Sequence, residues 1–211
     1  MKSAKTLNRK QAATPHKPSP ALLRLVEDLG QFEDFDGLLS SEWVVFDESD
    51  PGLLTLEERL GYLILTGCPY GPDDSRCTWI GQVCELANVE FEASIEAFLT
   101  GEDEAGISIQ SATLRCELFV TPTGYRVRTT DFRSTRIVLD LERSGFGSAR
   151  LRVRAEAGQM RFEIIEGMEV VGSIQLPFRS PGDALVGVYT MSPTKSGYAE
   201  FDWCRWRSQQ V

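Results

Sequence analysis

Residues 89–99, VEFEASIEAFL, set Val89, Phe91, Ala93, Ile95 and Ala97 against Glu90, Glu92, Ser94 and Glu96. Successive side chains of a β-strand point to opposite faces, so such a run buries its apolar half only as one strand of a sheet with a dry side and a wet side. Residues 112–121 repeat the pattern, with Leu114, Cys116, Leu118 and Val120 opposed to Arg115, Glu117 and Phe119. Residues 149–155 do so again, with Leu151 and Val153 opposed to Arg150, Arg152 and Arg154. A chain built from such units must stack two sheets face to face.

Turn residues recur every 8 to 12 positions from Gln31 onward, the spacing of a sandwich or barrel. Strands are expected at 32–35, 43–46, 61–66, 79–84, 89–99, 105–110, 112–121, 125–130, 137–141, 149–155, 160–165 and 170–176. A long loop spans 67–77, and an acidic loop spans 101–104. Residues 185–207 add two strands around a turn and hold the densest aromatic cluster, Tyr198, Phe201, Trp203 and Trp206. Alternation there predicts Phe201 and Trp203 inside and Tyr198, Glu200 and Asp202 outside, in a strand that clasps the domain against its first strand. The class is all-β. Before it, residues 1–20 read as a disordered basic tail, and 21–30 as a short amphipathic helix with Leu22, Leu23, Val26 and Leu29 on one stripe and Gly30 at its end. The domain proper is 31–207.

No window approaches the roughly 20 apolar residues that span a bilayer, so a membrane partner is not expected. The chain carries a net charge of −9, yet its first 20 residues hold five basic residues and no acid. The body therefore carries −14, which repels nucleic acid. The N-terminus lacks the apolar region of a secretory signal, which points to a soluble, intracellular, cytoplasmic protein. Five cysteines (Cys68, Cys77, Cys84, Cys116 and Cys204) without CxxC spacing read as reduced thiols.

Histidine chemistry is excluded from the domain, because His16 in the tail is the one histidine of the chain. Any acid–base work falls to carboxylates, Tyr or Lys195. The Glu-x-Asp-x-x-Glu string of jelly-roll glucanases finds its nearest counterpart at Glu200-Phe201-Asp202, but Arg205 stands where the third acid belongs. Glu90, Glu92 and Glu96 share a strand face and Glu117 could oppose them, but a solvated acidic face is the better reading of them. Sugars need aromatic platforms beside groups that bind hydroxyls. Trp79 and Tyr125, with Glu92, Arg115, Glu117 and Arg128 on strands expected to be neighbours, fit that need, and Tyr189 joins them; core packing and cross-strand ion pairs are the structural alternative. The Arg150, Arg152, Arg154 ladder calls for acids opposite, with Glu163 or Asp140 as the simplest source.

The order of these segments resembles the concanavalin A-like jelly-roll domain at the C-terminus of family-43 β-xylosidases and related small stand-alone bacterial proteins. The matching runs are FEDFDG at 32–37, GYLIL at 61–65, EFEASIEAF and EAGISIQS, RLRVRAEAGQMRFEIIEG, VGVYTMSP and YAEFDWCRW, together covering about 31–207. No catalytic five-bladed propeller precedes the module, so the resemblance does not carry glycosidase activity over. It implies a lectin-like β-sandwich that binds a carbohydrate or similar polyhydroxy ligand without catalysis. A small lyase, isomerase or hydrolase with a Glu or Asp base in a concave-face pocket is the alternative, and a protein-interaction domain docking through its N-terminal segment is a third. The resemblance also implies a candidate structural calcium between the first and last strands, on Asp36 and Asp202 with Glu33 and Asp34 nearby.

Overall fold

The computed structural model describes residues 31–39, 42–46, 53–68, 78–85, 88–143, 147–178, 182–194 and 196–208. The expected basic tail and the expected helix at 21–30 lie outside these residues, as does most of the loop at 67–77. Among the described residues fifteen strands form: β1 (Gln31–Glu33), β2 (Val44–Phe46), β3 (Leu54–Thr55), β4 (Leu63–Thr66), β5 (Thr78–Glu85), β6 (Asn88–Phe98), β7 (Glu104–Gln110) and β8 (Leu114–Val120). The second half contributes β9 (Gly124–Asp131), β10 (Thr135–Glu142), β11 (Ala149–Glu156), β12 (Gln159–Glu166), β13 (Glu169–Pro177), β14 (Asp183–Met191) and β15 (Tyr198–Ser208).

They make two antiparallel sheets. One has eight strands in the order β13-β12-β11-β6-β15-β4-β3, with β1 also on β15, and the other has seven in the order β10-β9-β8-β7-β14-β5-β2. β15 is the clasp that the sequence predicts: one edge pairs with β6 from Tyr198 to Ser208, while the other is shared by β4 (at Tyr198 to Phe201) and β1 (at Cys204 to Trp206). Between the sheets lie the apolar phases of the strands, among them Phe91, Ile95, Ile107, Leu118, Val127, Leu151, Phe162, Val188 and Phe201. Most of these runs alternate in sequence, which is why the sequence betrays their buried side.

Register shifts occur in β10 between Ile137 and Leu139, in β12 between Ile164 and Ile165, and in β15. The register of β15 against β6 shifts between Phe201 and Trp203, a β-bulge at Asp202. Beyond it the phase reverses: Cys204 is buried in the core and Trp206 packs against it, whereas Trp203 lies outside that core against Phe32, with ring centroids 5.8 Å apart. The expected inward Trp203 is thus corrected by one extra residue, since inserting one residue into a period of two exchanges the faces.

At Gly187 the chain tolerates no side chain. A Cβ there would lie 2.0 Å from the Ile80 carbonyl oxygen and 2.4 Å from Gly81 Cα on the neighbouring β5. Gly187→Ala is expected to lower stability by about 1–3 kcal/mol by forcing β14 and β5 apart. A urea midpoint equal to the parent's would show that the strands are not in contact there.

Candidate functional site

The outer face of the seven-stranded sheet carries the residues of interest. The register aligns Arg128 (β9), Glu117 (β8), Ser108 (β7), Gly187 (β14) and Gly81 (β5) in one row across the strands. The next row holds Phe119, Gly106, Tyr189 and Trp79. All belong to the strand phase opposite the inter-sheet core. Trp79, Phe119, Tyr189 and Met191 form a second buried apolar cluster, separate from the main one. The Trp79 ring lies over Gly81, where a Cβ would fall 2.4 Å from it, so the glycines let the aromatic cluster pack down onto the sheet beside the charged group.

That charged group is built on Arg128. Its Nε donates to Glu117 Oε2 at 2.6 Å, its Nη1 donates to Glu104 Oε2 at 3.0 Å, and its Nη2 donates to the other Glu104 oxygen. Its guanidinium lies 4.7 Å above the Phe119 ring centroid. Tyr189 donates its hydroxyl to Glu104 Oε1 at 3.0 Å, and Arg115 forms an ion pair with Glu117. Two carboxylates are therefore held by two arginines and a phenol. Burial drives the electrostatics: Glu117 is only 1% exposed, while Arg128 and Arg115 are 17% and 27% exposed and are the members of the group that solvent reaches. Burial raises the Glu104 carboxyl above its ordinary value against the opposing pull of Arg128. Burial also raises the Tyr189 phenol, helped by Glu117 and Glu104.

Five of the seven ligand candidates from the sequence (Trp79, Arg115, Glu117, Arg128 and Tyr189) meet on this face. The other two do not. Tyr125 falls in the inward phase of β9, is buried in the main core, and donates its hydroxyl to Glu166 Oε1 at 2.7 Å. Glu92 lies on β6, on the outer face of the other sheet. The expectation that Glu117 opposes Glu90, Glu92 and Glu96 fails for the same reason, because β8 and β6 belong to different sheets. Glu104 and Phe119 were not singled out by sequence reasoning. The signal for Glu104 is its phase: it alternates with Gly106, Ser108 and Gln110 against Ala105, Ile107 and Ile109, so it begins a strand where an acidic loop was expected.

The outer face of the eight-stranded sheet is an ion-pair ladder. Glu163, Arg152, Glu92 and Arg205 lie side by side across β12, β11, β6 and β15. Glu92 is 0% exposed, accepting from Arg152 Nε at 2.8 Å, Arg205 Nη2 at 2.7 Å and Arg150 Nη1 at 3.3 Å. It is no solvated acid: three guanidinium groups cover it. Burial pushes its carboxyl up, but the hydrogen bonds and charges of Arg152 and Arg205 outweigh this and hold it below its ordinary value. The arginine ladder thus finds its acids in Glu163, as expected, and in Glu90 and Glu92, whereas Asp140 pairs with Arg126 on β9. Glu200, in the string nearest to the glucanase motif, bonds Arg59, away from Glu104 and Glu117. Among the described residues, no three His, Cys, Asp or Glu side chains converge as metal ligands. A calcium ion on Asp36 and Asp202 would have to take its remaining ligands from carbonyl oxygens and water.

Two antiparallel sheets in this arrangement, with a central last strand, fit a jelly-roll sandwich. Sequence comparison matches the chain to no protein-family model and to no curated protein. Solved structures are similar over most of it. A xylan β-1,4-xylosidase from Bacillus halodurans superposes with a TM-score of 0.72 at 20% identity, over 94% of this chain and 41% of the enzyme. A family-43 glycoside hydrolase from Bacteroides ovatus gives 0.67 at 21% identity, over 84% of this chain and 39% of that one. The chain thus spans about two-fifths of these enzymes. A β-1,3-glucanase from Mycobacterium marinum gives 0.56 at 16% identity, over 83% of this chain and 97% of that one. At these identities the likeness establishes the fold. No helix among the described residues is long and apolar enough to cross a membrane.

Proposed function

We propose that this domain binds a carbohydrate or similar polyhydroxy ligand on the outer face of its seven-stranded sheet. The observation that carries the reading is the group of Glu104, Glu117, Arg128, Arg115 and Tyr189 beside Trp79 and Phe119, assembled on a face that the inter-sheet core does not need. Sandwich stability asks only for the inner face, whereas burying charges on the outer one costs desolvation that a better-packed apolar cluster avoids. Arg115 and Arg128 are the members of the group that solvent reaches, and guanidinium forks suit paired hydroxyl or carboxylate oxygens. Neighbours named as xylosidase and glucanase support a saccharide as the ligand class.

Calorimetric titration with xylo-oligosaccharides and β-1,3-gluco-oligosaccharides tests this directly. Arg115→Ala leaves Glu117 its bond to Arg128, so affinity is expected to fall at least tenfold while the melting temperature moves little. Absence of heat with every oligosaccharide would sink the reading.

One observation favours catalysis as the second reading: the Glu104 carboxyl is buried and raised above its ordinary value, the condition of a general acid, and it stands beside a second carboxylate. Release of reducing ends from the same oligosaccharides, abolished in Glu104→Gln, would establish it. Binding without turnover would leave the domain a lectin-like module.

A further inference from the structure

Among the described residues the eight-stranded sheet ends in β13 on one side and in β3 and β1 on the other, and the seven-stranded sheet ends in β10 and β2. An edge strand offers unpaired backbone N–H and C=O groups to another chain unless it is short, charged or bulged. β1, β2 and β3 are blunted by length, at three, three and two residues. β10 carries Arg136, Asp140 and Glu142, and Val138 is an extra residue that breaks its register. β13 has its own extra residue at Val171, but from 172 to 177 it runs GSIQLP, without a charge and in unbroken register with β12. Exposed apolar side chains adjoin this run at Met168, Val170 and Val171.

The hydrogen bonds of β13 tell which of its backbone groups are free. Phe178 donates its N–H to the Gly158 carbonyl at 2.8 Å. Residues of an antiparallel strand alternate between bonding their partner and turning their groups away. Gly172, Ile174 and Leu176 therefore bond β12, while Ser173 and Gln175 turn N–H and C=O outward, and Pro177 its C=O. Leu141 of β10 sits on Gly172, where a Cβ would lie 2.2 Å from its Cδ1, so this edge is already held against the other sheet. An antiparallel copy related by a two-fold axis through Ser173 or Gln175 sets outward residues opposite outward residues, so each free N–H of that residue meets a free C=O. The same pairing brings Ile174 beside Gly172 or Leu176 of the copy and extends the apolar inner layer, to which Ile174 and Leu176 belong. Residues 170–177 carry no charge, so no like charges meet even in a chain of net charge −9. We propose that β13 is the docking edge for a second copy of this chain, joined antiparallel so that the two eight-stranded sheets become one. The pairing closes after one step, because it occupies both β13 edges and the far side of each sheet ends in the short β3 and β1. It leaves the seven-stranded face open and is independent of any ligand there.

Sedimentation velocity of the full chain over a concentration series is expected to show a monomer–dimer equilibrium. Ser173→Lys with Gln175→Lys, both at exposed positions, should weaken the dimer at least tenfold while unfolding stays cooperative. Gln175→Pro removes an N–H that bonds nothing in β12, so it should weaken the dimer and spare the fold. For cross-linking, Ser173→Cys and Gln175→Cys are each oxidised in a Cys77→Ser, Cys84→Ser background, where Cys68, Cys116 and Cys204 are buried. At least one of the two should give a disulfide-linked dimer, and Asp140→Cys on β10 should stay monomeric. A monomer at every concentration would overturn the proposal, as would a dimer that the lysines leave unchanged. Open-ended larger species, or bridging through Asp140→Cys alone, would overturn it as well.

Discussion

Arg128→Ala is expected to destabilise the domain by about 3–5 kcal/mol at neutral pH, the range for removing one partner of a buried ion pair. Glu104 would keep only its bond from Tyr189, and Glu117 only Arg115. Glu104 would then be buried with less positive charge, and its carboxyl, already above its ordinary value, would rise further. A raised carboxyl binds its proton more tightly in the folded state, so the deficit should shrink as pH falls from 7.5 toward 5. Arg128→Lys should recover only part of the loss, because an ammonium cannot bond both carboxylates in a fork. Urea midpoints at the two pH values provide the measurement. A loss under about 1 kcal/mol that does not change with pH would mean that Arg128 is not what holds Glu104 and Glu117 in place.

Glu92→Ala carries an effect of similar size, and its deficit also shrinks on acidification, but in a lower pH window. Removing this carboxylate leaves Arg150, Arg152 and Arg205 facing one another across β11, β6 and β15 with their shared acceptor gone. About 3–5 kcal/mol is again expected. In the parent protein the Glu92 carboxyl is held below its ordinary value. The stability it contributes is therefore present above the unfolded value of about 4.3 and is lost as pH falls through the folded value. Glu92→Gln, which keeps the shape without the charge, should flatten the acid limb of the stability curve. An acid limb identical in parent and variant would assign acid sensitivity to other carboxylates.

The fold was legible because its strands are one-sided. Runs such as VEFEASIEA and ARLRVRA show which side chains face the core, and their order with the glycine turns resembles a known sandwich. Pairings between distant strands were less legible. Period-two alternation says which residues share a strand face but not which of two sheets holds the strand, so Glu92 and Glu117 looked like neighbours and lie on opposite outer faces. Tyr125 shows a related limit: an aromatic with a polar tip suits a binding platform and a core position alike, and its phase with Val127 in β9 places it inside. The bulge at Asp202 has no signature in an alternating pattern, since it is visible only as a change of register against β6. Glu104 escaped notice because an acid beside Gly101, Glu102 and Asp103 reads as loop.

The position of β15 has a kinetic consequence. It fills the middle of the eight-stranded sheet, between β6 on one edge and β4 and β1 on the other, yet it follows every other strand in sequence. Pairing Gln31 with Trp206 closes nearly the whole length of the domain. Such long-range contacts make folding slow, because the entropy of loop closure must be met before the pairing rewards it. During synthesis β4 and β6 must therefore wait with facing edges unpaired until the last strand emerges. A circular permutant that joins residue 208 to residue 31 and opens the exposed β12–β13 turn at Gly167 would make β15 and β1 consecutive, turning the slowest closure of the chain into a local one.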